Sequence, residues 1–327
     1  MPKSIDILAA RALLHSRAEL IENGLTERQV RGLVEAKILR RVRRGRYVYE
    51  DDWKDLWNEG RHLVEVVAAR LNSEGPGPVF WGPSAAVLHG LPLYRLAPRV
   101  VHVATVDARH GRTHARITWH NVDVDAADIT VVDGIRCTTI ERTVLDLARS
   151  LSQDAAVSAT DAALRMEAVT RNVQDEDSAR EWRDRMLVRA EHLHGRGIRQ
   201  ARRMIAFADG RAQLPGESVS RLHLSRLGFT RFDIQMHVVG AAGDDYWLDF
   251  GFLGARCFGE FDGLGKYFDE RMKGDRSTAQ VMLDEKLRED DIRGVTGWRL
   301  ARWGSSHIST LDAFAERLAA FGIRPPG

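Results

Sequence analysis

The stretch Tyr246–Lys266 reads Y-W-L-D-F-G-F-L-G-A-R-C-F-G-E-F-D-G-L-G-K. Tyr246–Phe252 and Arg256–Asp262 are rich in aromatic and other strand-favouring residues, and each predicts a β-strand. Between them, Gly254-Ala255 is expected to form a two-residue type II′ turn with glycine in its first position. That turn fixes a register in which Asp249 lies opposite Glu260, with cross-strand Cβ atoms about 4.5–5.5 Å apart. Asp262, two residues beyond Glu260, points to the same face by strand alternation. Carboxylates set opposite one another repel, and a divalent cation would neutralise them. Hard oxygen ligands suit Mg²⁺ (or Mn²⁺), which keeps several waters and completes its shell with phosphate. The expectation is therefore a metal held by Asp249, Glu260 and Asp262, placed to polarise a phosphodiester.

Moving outward, residues 206–327 are expected to run helix, strand, strand, helix, strand, helix. Gly216-Glu217-Ser218 opens a helix that carries Arg221, followed by Leu227-Gly228-Phe229 and Gln235. Then come Leu248-Asp249-Phe250, Gly259-Glu260-Phe261-Asp262-Gly263 and Lys266-Tyr267. The series closes with Glu285-Lys286-Leu287-Arg288-Glu289-Asp290 and Gly297-Trp298-Arg299-Leu300-Ala301-Arg302-Trp303. This ordered set, over residues 210–310, resembles the restriction-endonuclease-like fold with its PD-(D/E)xK motif. It is most similar to very-short-patch-repair-type endonuclease relatives appended to AbiEi-like modules. The resemblance implies that Asp249 is the metal-binding aspartate, Glu260 the second acid, and Glu217 the acid on the preceding helix. Where the family has a lysine two residues after the second acid, this chain has Asp262, an E-x-D variant that could add a ligand. The cation that stabilises the transition state would then come from Lys266 or Lys286. Lys286 shares a helix face with Asp290 and Arg293. Arg288 and Arg302 fit ion-pair or phosphate-positioning roles. The activity implied is hydrolysis of DNA that leaves a 5′-phosphate.

At the other end, Thr26-Glu27-Arg28-Gln29 carries the signature of a capped helix start. Val30, Leu33 and Val34 then mark an inward face, with Arg28 and Arg31 on the other side. A shorter helix, Arg17–Glu22, precedes it through the turn Asn23-Gly24. Ile38–Val42 and Arg46–Tyr49 read as two strands around Arg43-Arg44-Gly45. Helix, turn, helix and basic hairpin are the parts of a winged helix, whose second helix enters the major groove while the wing grips phosphate. The expected DNA contacts are Arg28, Arg31, Arg40, Arg41, Arg43, Arg44 and Arg46. The run from Gly24 to Tyr47, G-L-T-x-x-Q-V-x-x-L-V-x-A-x-I-L-x-R-V-R-R-G-x-Y, resembles the N-terminal domain of AbiEi-type antitoxins, which implies a cognate toxin as a partner.

Three parts follow: a winged helix at 1–58, a mixed middle domain at 59–205, and a restriction-endonuclease-like αβ core at 206–327. The fold class is α/β (α+β). In the middle part, helices are expected at Ser84–Leu88, closed by Gly90-Leu91-Pro92, and at Thr139–Leu147. His89, His102, His110, His114 and His120 show no zinc-ligand spacing and read as polar or core-satisfied residues. Cys137 and Cys257 are too few and too far apart for a disulfide framework or zinc site. No run approaches 18 apolar residues, which excludes a membrane helix. The amphipathic start, interrupted by Asp6, Arg11 and Arg17, does not read as a signal peptide. A cytoplasmic location is expected. The net charge of +2 decides little, but the acid-free run Lys37–Arg46 sets a cationic front against acids further on. The leading expectation is a DNA-binding endonuclease in host defence or a toxin–antitoxin setting. The alternative is a non-catalytic regulator that binds DNA through the winged helix.

Overall fold

A computed structural model describes residues 3–105, 116–263 and 278–325. The chain gathers into two compact units, 1–159 with 190–201, and 160–189 with 202–327. The front module and most of the middle segment thus share one unit. Lys266 and Tyr267 lie outside the described residues. The architecture is α/β, and among the described residues no helix is long and apolar enough to cross a membrane.

In the first unit, α1 (Ile7–Ala12), β1 (His15–Ser16), α2 (Arg17–Glu22) and α3 (Glu27–Glu35) precede the hairpin β2 (Leu39–Arg43) and β3 (Arg46–Tyr49). The strands pair in the order β1-β3-β2. Thr26 caps α3 through a reciprocal box with Gln29, whose side chain accepts from the Thr26 N–H at 2.8 Å. Val30 faces inward with Leu20 and Leu39, and Leu33 and Val34 pack against them. Gly45 turns the hairpin at φ 72°, a conformation that favours glycine.

After α4 (Glu50–Lys54) comes α5 (Asn58–Leu71), buried along Leu63–Ala69. It lies beside a mixed sheet of β4 (Val79–Phe80), β5 (Val101–Ala104), β6 (Ile117–His120), β7 (Ile129–Val132) and β8 (Ile135–Thr138). The strand order is β6-β5-β4-β8-β7. The two expected helices are α6 (Pro83–Leu88) and α7 (Ile140–Ser150), the latter capped by Thr139. Then follow α8 (Gln153–Ala168), the short ribbon β9 (Val169–Thr170) and β10 (Val173–Gln174), α9 (Glu176–His192) and α10 (Ile198–Phe207).

The second unit is built on α11 (Pro215–Arg226), β11 (Asp233–Val239), β12 (Asp245–Phe252), β13 (Cys257–Phe261), α12 (Thr278–Thr296), β14 (Arg299–Trp303) and α13 (Leu311–Ala320). The sheet runs β11-β12-β13-β14, antiparallel except for the last pair, whose parallel register needs a crossover through α12. One strand more is present than the expected order allowed. The additional strand is β11, at the sheet edge beside β12, with Met236 and Val238 packed in the layer of Leu248.

The expected type II′ turn is not formed. Leu253–Ala255 makes a 3₁₀ turn and Arg256 takes the left-handed conformation at φ 45°. The longer loop is centred on the same point as the expected one. The register Phe250↔Gly259, Gly251↔Phe258 and Phe252↔Cys257 is therefore the one the shorter turn would have set.

Leu248, Phe258 and Leu300 pack toward Ile292 of α12. On the other face, Phe250 meets Trp303, whose ring touches Phe314 of α13 and whose indole N–H donates to Ser220 of α11 at 2.8 Å. Gly216 is pressed so closely on the Phe261 ring that a Cβ there would come within 2.1 Å of it. A buried ion pair ties the helices of this unit. Arg221 donates to both oxygens of Asp161 at 2.8 and 2.9 Å and to the Phe207 carbonyl at 2.7 Å. Burial pushes the Asp161 carboxyl upward, and the Arg221 guanidinium opposes that shift. Asp161→Ala strands a buried guanidinium and is expected to cost about 3–5 kcal/mol. Urea unfolding of the intact chain checks this, and a midpoint equal to that of the wild type would refute it.

Candidate functional site

The seven arginines of the front module divide into two groups. Arg28 and Arg31 on α3, with Arg41 and Arg44 on the hairpin, are exposed, and their side chains have no hydrogen bond or ion pair among the described residues. Arg40 is held by Glu50 in a two-pronged bond of 2.7 and 2.9 Å and lies over the Trp53 ring. Arg43 turns inward and donates to the carbonyls of Glu65 and Arg116, both at 3.2 Å. Burial lowers its pKa, with the Glu65 carboxylate working the other way. Arg46 bonds Asn72 Oδ1 at 3.1 Å and the Leu71 carbonyl at 3.4 Å. Asn72 in turn donates to the Arg44 carbonyl at 2.8 Å. Arg43, Arg46 and Asn72 therefore brace the hairpin against α5 and β6, and the free guanidiniums stand on a fixed support. Sequence reasoning missed Glu65, Asn72 and Arg116, because nothing local to them signals a partner in the hairpin.

His62 of α5 joins His102 and His120 of the middle sheet in a network that is buried at His62 and half-buried at the other two. His62 Nε2 lies 3.0 Å from Ser84 Oγ, which accepts from the His102 N–H at 2.8 Å. His102 Nδ1 and His120 Nε2 are 2.9 Å apart, with their rings stacked. Trp81 covers His120 and donates its indole N–H to Asp146 at 2.7 Å. Burial drives His62 down to about 3, and the neighbouring His102 adds to the shift. Burial drives His102 to about 4, with His120 adding to the shift. Burial also pushes the Cys137 thiol up to about 12 and the Cys257 thiol upward, so neither is poised as a nucleophile.

In the second unit the structure separates the acids read from the sequence. Asp249 is buried, and its Oδ2 accepts from the Phe261 N–H at 2.8 Å. It stands where the β12–β13 ladder stops, just past Phe250↔Gly259. The strand turns over at this residue, since Leu248 and Phe250 go to opposite layers. Across β11, Gln235 adopts φ 52° and donates to Glu217 at 3.3 Å. Glu217, buried in the first turn of α11, also accepts from the Gln213 N–H at 2.8 Å. Gln235 thus links Glu217 to the β11 position that faces Asp249 in the strand register.

Glu260 is elsewhere. It follows Phe258 onto the α12 face, where Arg288 approaches Oε1 at 2.8 Å and Arg302 approaches Oε2 at 3.2 Å. Arg302 also pairs with Glu285 and, at 3.4 Å, with Glu289. Two guanidiniums thus supply the positive charge expected from a metal. Asp262 is half-buried just beyond β13, and its N–H donates to the Trp303 carbonyl at 2.8 Å. Lys286 is exposed on α12, and Lys266 lies outside the described residues. Glu260 is thus held by two arginines, Asp249 by a backbone N–H, and Asp262 lies just past the strand end. Among the described residues, no three His, Cys, Asp or Glu side chains gather to hold a metal.

No family model matches the chain. It is similar to two proteins of Mycobacterium tuberculosis, Uncharacterized protein MT2308 (strain CDC 1551 / Oshkosh) and Uncharacterized protein Rv2248 (strain ATCC 25618 / H37Rv). Each is 31% identical over 133 residues, which is 41% of this chain and 45% of the relative. The matched part thus spans less than half the length of the curated relatives.

The histidine network carries a pH dependence. Unfolded imidazoles titrate near 6.5, whereas folded His62 and His102 titrate near 3 and 4. The unfolded chain takes up protons first as the pH falls. Stability is therefore intact above about pH 6.5 and declines toward the folded values. His62 alone accounts for about 2 kcal/mol lost by pH 5. Urea midpoints of the intact chain at pH 7 and pH 5, with amide exchange to locate the loss in the first unit, check this. Equal protection of α5 and β5 at both values, after correction for intrinsic exchange, would contradict it.

Proposed function

We propose that the chain is a cytoplasmic DNA-binding protein that grips duplex DNA through α3 and the β2–β3 hairpin. The observation that carries this reading is the set of four unpartnered guanidiniums, Arg28, Arg31, Arg41 and Arg44, on one helix and its adjoining hairpin. Cations with no internal counter-charge are matched by phosphate, and each phosphate neutralised releases counterions. The helix–turn–helix with its basic hairpin supports the likeness to AbiEi-type winged helices.

For the second unit we propose an endonuclease-like role. Its order of helix, three strands, helix and strand supports the resemblance to restriction-endonuclease-like proteins. The specific feature in favour is the split between β12 and β13, with Asp249 at its apex and Glu217 bonded to Gln235 of the adjoining strand. A divalent ion brought there with DNA would supply Lewis-acid chemistry. Against cleavage stands Glu260, whose charge is already met by Arg288 and Arg302. A non-catalytic regulator with a toxin-like partner is the alternative that this pairing favours.

Fluorescence anisotropy with a duplex of mixed sequence, titrated across salt, tests the first part. Replacing Arg28, Arg31, Arg41 and Arg44 by Ala is expected to reduce the salt slope by about 3–4. Arg40→Ala, whose guanidinium is held by Glu50, should change the slope by less than about one unit. A slope that survives the fourfold replacement would sink the DNA-binding proposal. For the second part, supercoiled plasmid is incubated with the protein and Mg²⁺ or Mn²⁺, beside Asp249→Asn. That variant keeps an acceptor for the Phe261 N–H while removing the charge. Nicking by the wild type and its loss in the variant are expected of an endonuclease. Tight binding without nicking in either metal would favour the regulator.

A further inference from the structure

Gly32 sits in the interior of α3 on the face turned away from the core. Helical spacing places Arg28 four residues before it and Glu35 three after it, with Arg31 at the rim. All four residues are exposed, while Val30 on the opposite side is buried. A Cβ built on Gly32 meets nothing within 4 Å, and its φ is not in the left-handed region. Neither packing nor backbone conformation asks for glycine here. In an exposed helix interior, glycine is the least favourable residue apart from proline. The fold accepts this disadvantage in the middle of the face that carries two of the four free arginines.

We propose that Gly32 is the point at which duplex DNA comes closest to α3. This rests on the DNA-binding reading above and adds to it which face reads sequence. Without a side chain at Gly32, the helix backbone can approach the edges of the base pairs in the major groove. Arg28 and Glu35 then flank the contact. An arginine there matches guanine O6 and N7, and a glutamate accepts from the amino group of cytosine. Arg41 and Arg44 on the hairpin hold phosphate and fix the register.

The inference separates stability from binding, which a purely structural role would not do. Duplexes preferred by the intact wild-type chain are first enriched from a random-sequence library, and affinity is then measured by anisotropy. Gly32→Ala is expected to raise the melting temperature of the first unit by about 2–4 °C, yet to weaken binding to the enriched duplex about tenfold. Gly32→Leu should weaken it about a hundredfold. Gly294→Ala is the control, because Gly294 is also an exposed helical glycine with nothing within 4 Å of its Cβ position. It lies on α12 and should leave affinity unchanged. Wild-type affinity in Gly32→Ala overturns the proposal. Salt-dependent binding by a wild type that enriches no sequence overturns it too, while the DNA-binding reading stands. Absence of any salt-dependent binding removes both.

Discussion

A guanidinium that enters a protein brings five hydrogen-bond donors and a charge it cannot shed. Much of this molecule is organised by how that demand is met. Arg43 meets it with two carbonyls, Arg46 with Asn72 and a carbonyl, and Arg221 with Asp161. Each of these side chains joins pieces distant in sequence. Glu65, beneath Arg43, is pushed upward by burial and held down by Arg116 and Arg43, so the brace also accommodates an otherwise awkward carboxyl. The arginines left outside acquire meaning from the ones inside. A hairpin tied at Arg43 and Arg46 presents Arg41 and Arg44 from a supported backbone, and less ordering entropy remains to be lost when phosphate binds.

The same economy of charge governs the second unit. Glu260 and Arg302 are partners across the parallel strands β13 and β14, and Arg288 reaches in from α12. That network closes one face of the sheet electrostatically. The region of Glu217, Gln235 and Asp249 has a different character. There, hydrogen bonds from amide donors hold the carboxylates, and the strand ladder itself opens. A backbone position that turns over in β12, opposite a left-handed Gln235 in β11, is a local departure from regular sheet that the flanking pairs Ile234↔Phe250 and Met236↔Leu248 hold in place. Departures of this kind cluster at functional sites, which is why the split draws the endonuclease reading toward Asp249 rather than Glu260.

Local signals were legible in the sequence. Thr26 and Gln29 announced the start of α3, and Val30 its buried face. The β12–β13 register was legible even though the turn was not. A two-residue turn and the longer loop actually present are symmetric about the same midpoint, so both give the same pairing. The edge strand β11 carries an alternating sequence, Ile234-Gln235-Met236-His237-Val238, which the left-handed Gln235 interrupts in the fold. What could not be read was any partner set by tertiary approach. Asp161 gives no hint of Arg221, sixty residues on, and nothing near Asn72 points to the hairpin.

The acid cluster shows where register alone stops being informative. Opposed carboxylates do require a counter-charge, and that much follows from electrostatics. Its chemical identity does not follow, because a metal ion and a pair of arginines satisfy the same condition. Arg288 and Arg302 lie 28 and 42 residues beyond Glu260, on elements whose approach depends on the β13–α12–β14 crossover. The strand also need not keep its alternation, and by turning over at Asp249 it sends neighbouring acids into different environments. Charge patterning in a hairpin therefore predicts that neutralisation occurs, while the topology of the elements packed against it decides which cation does the work.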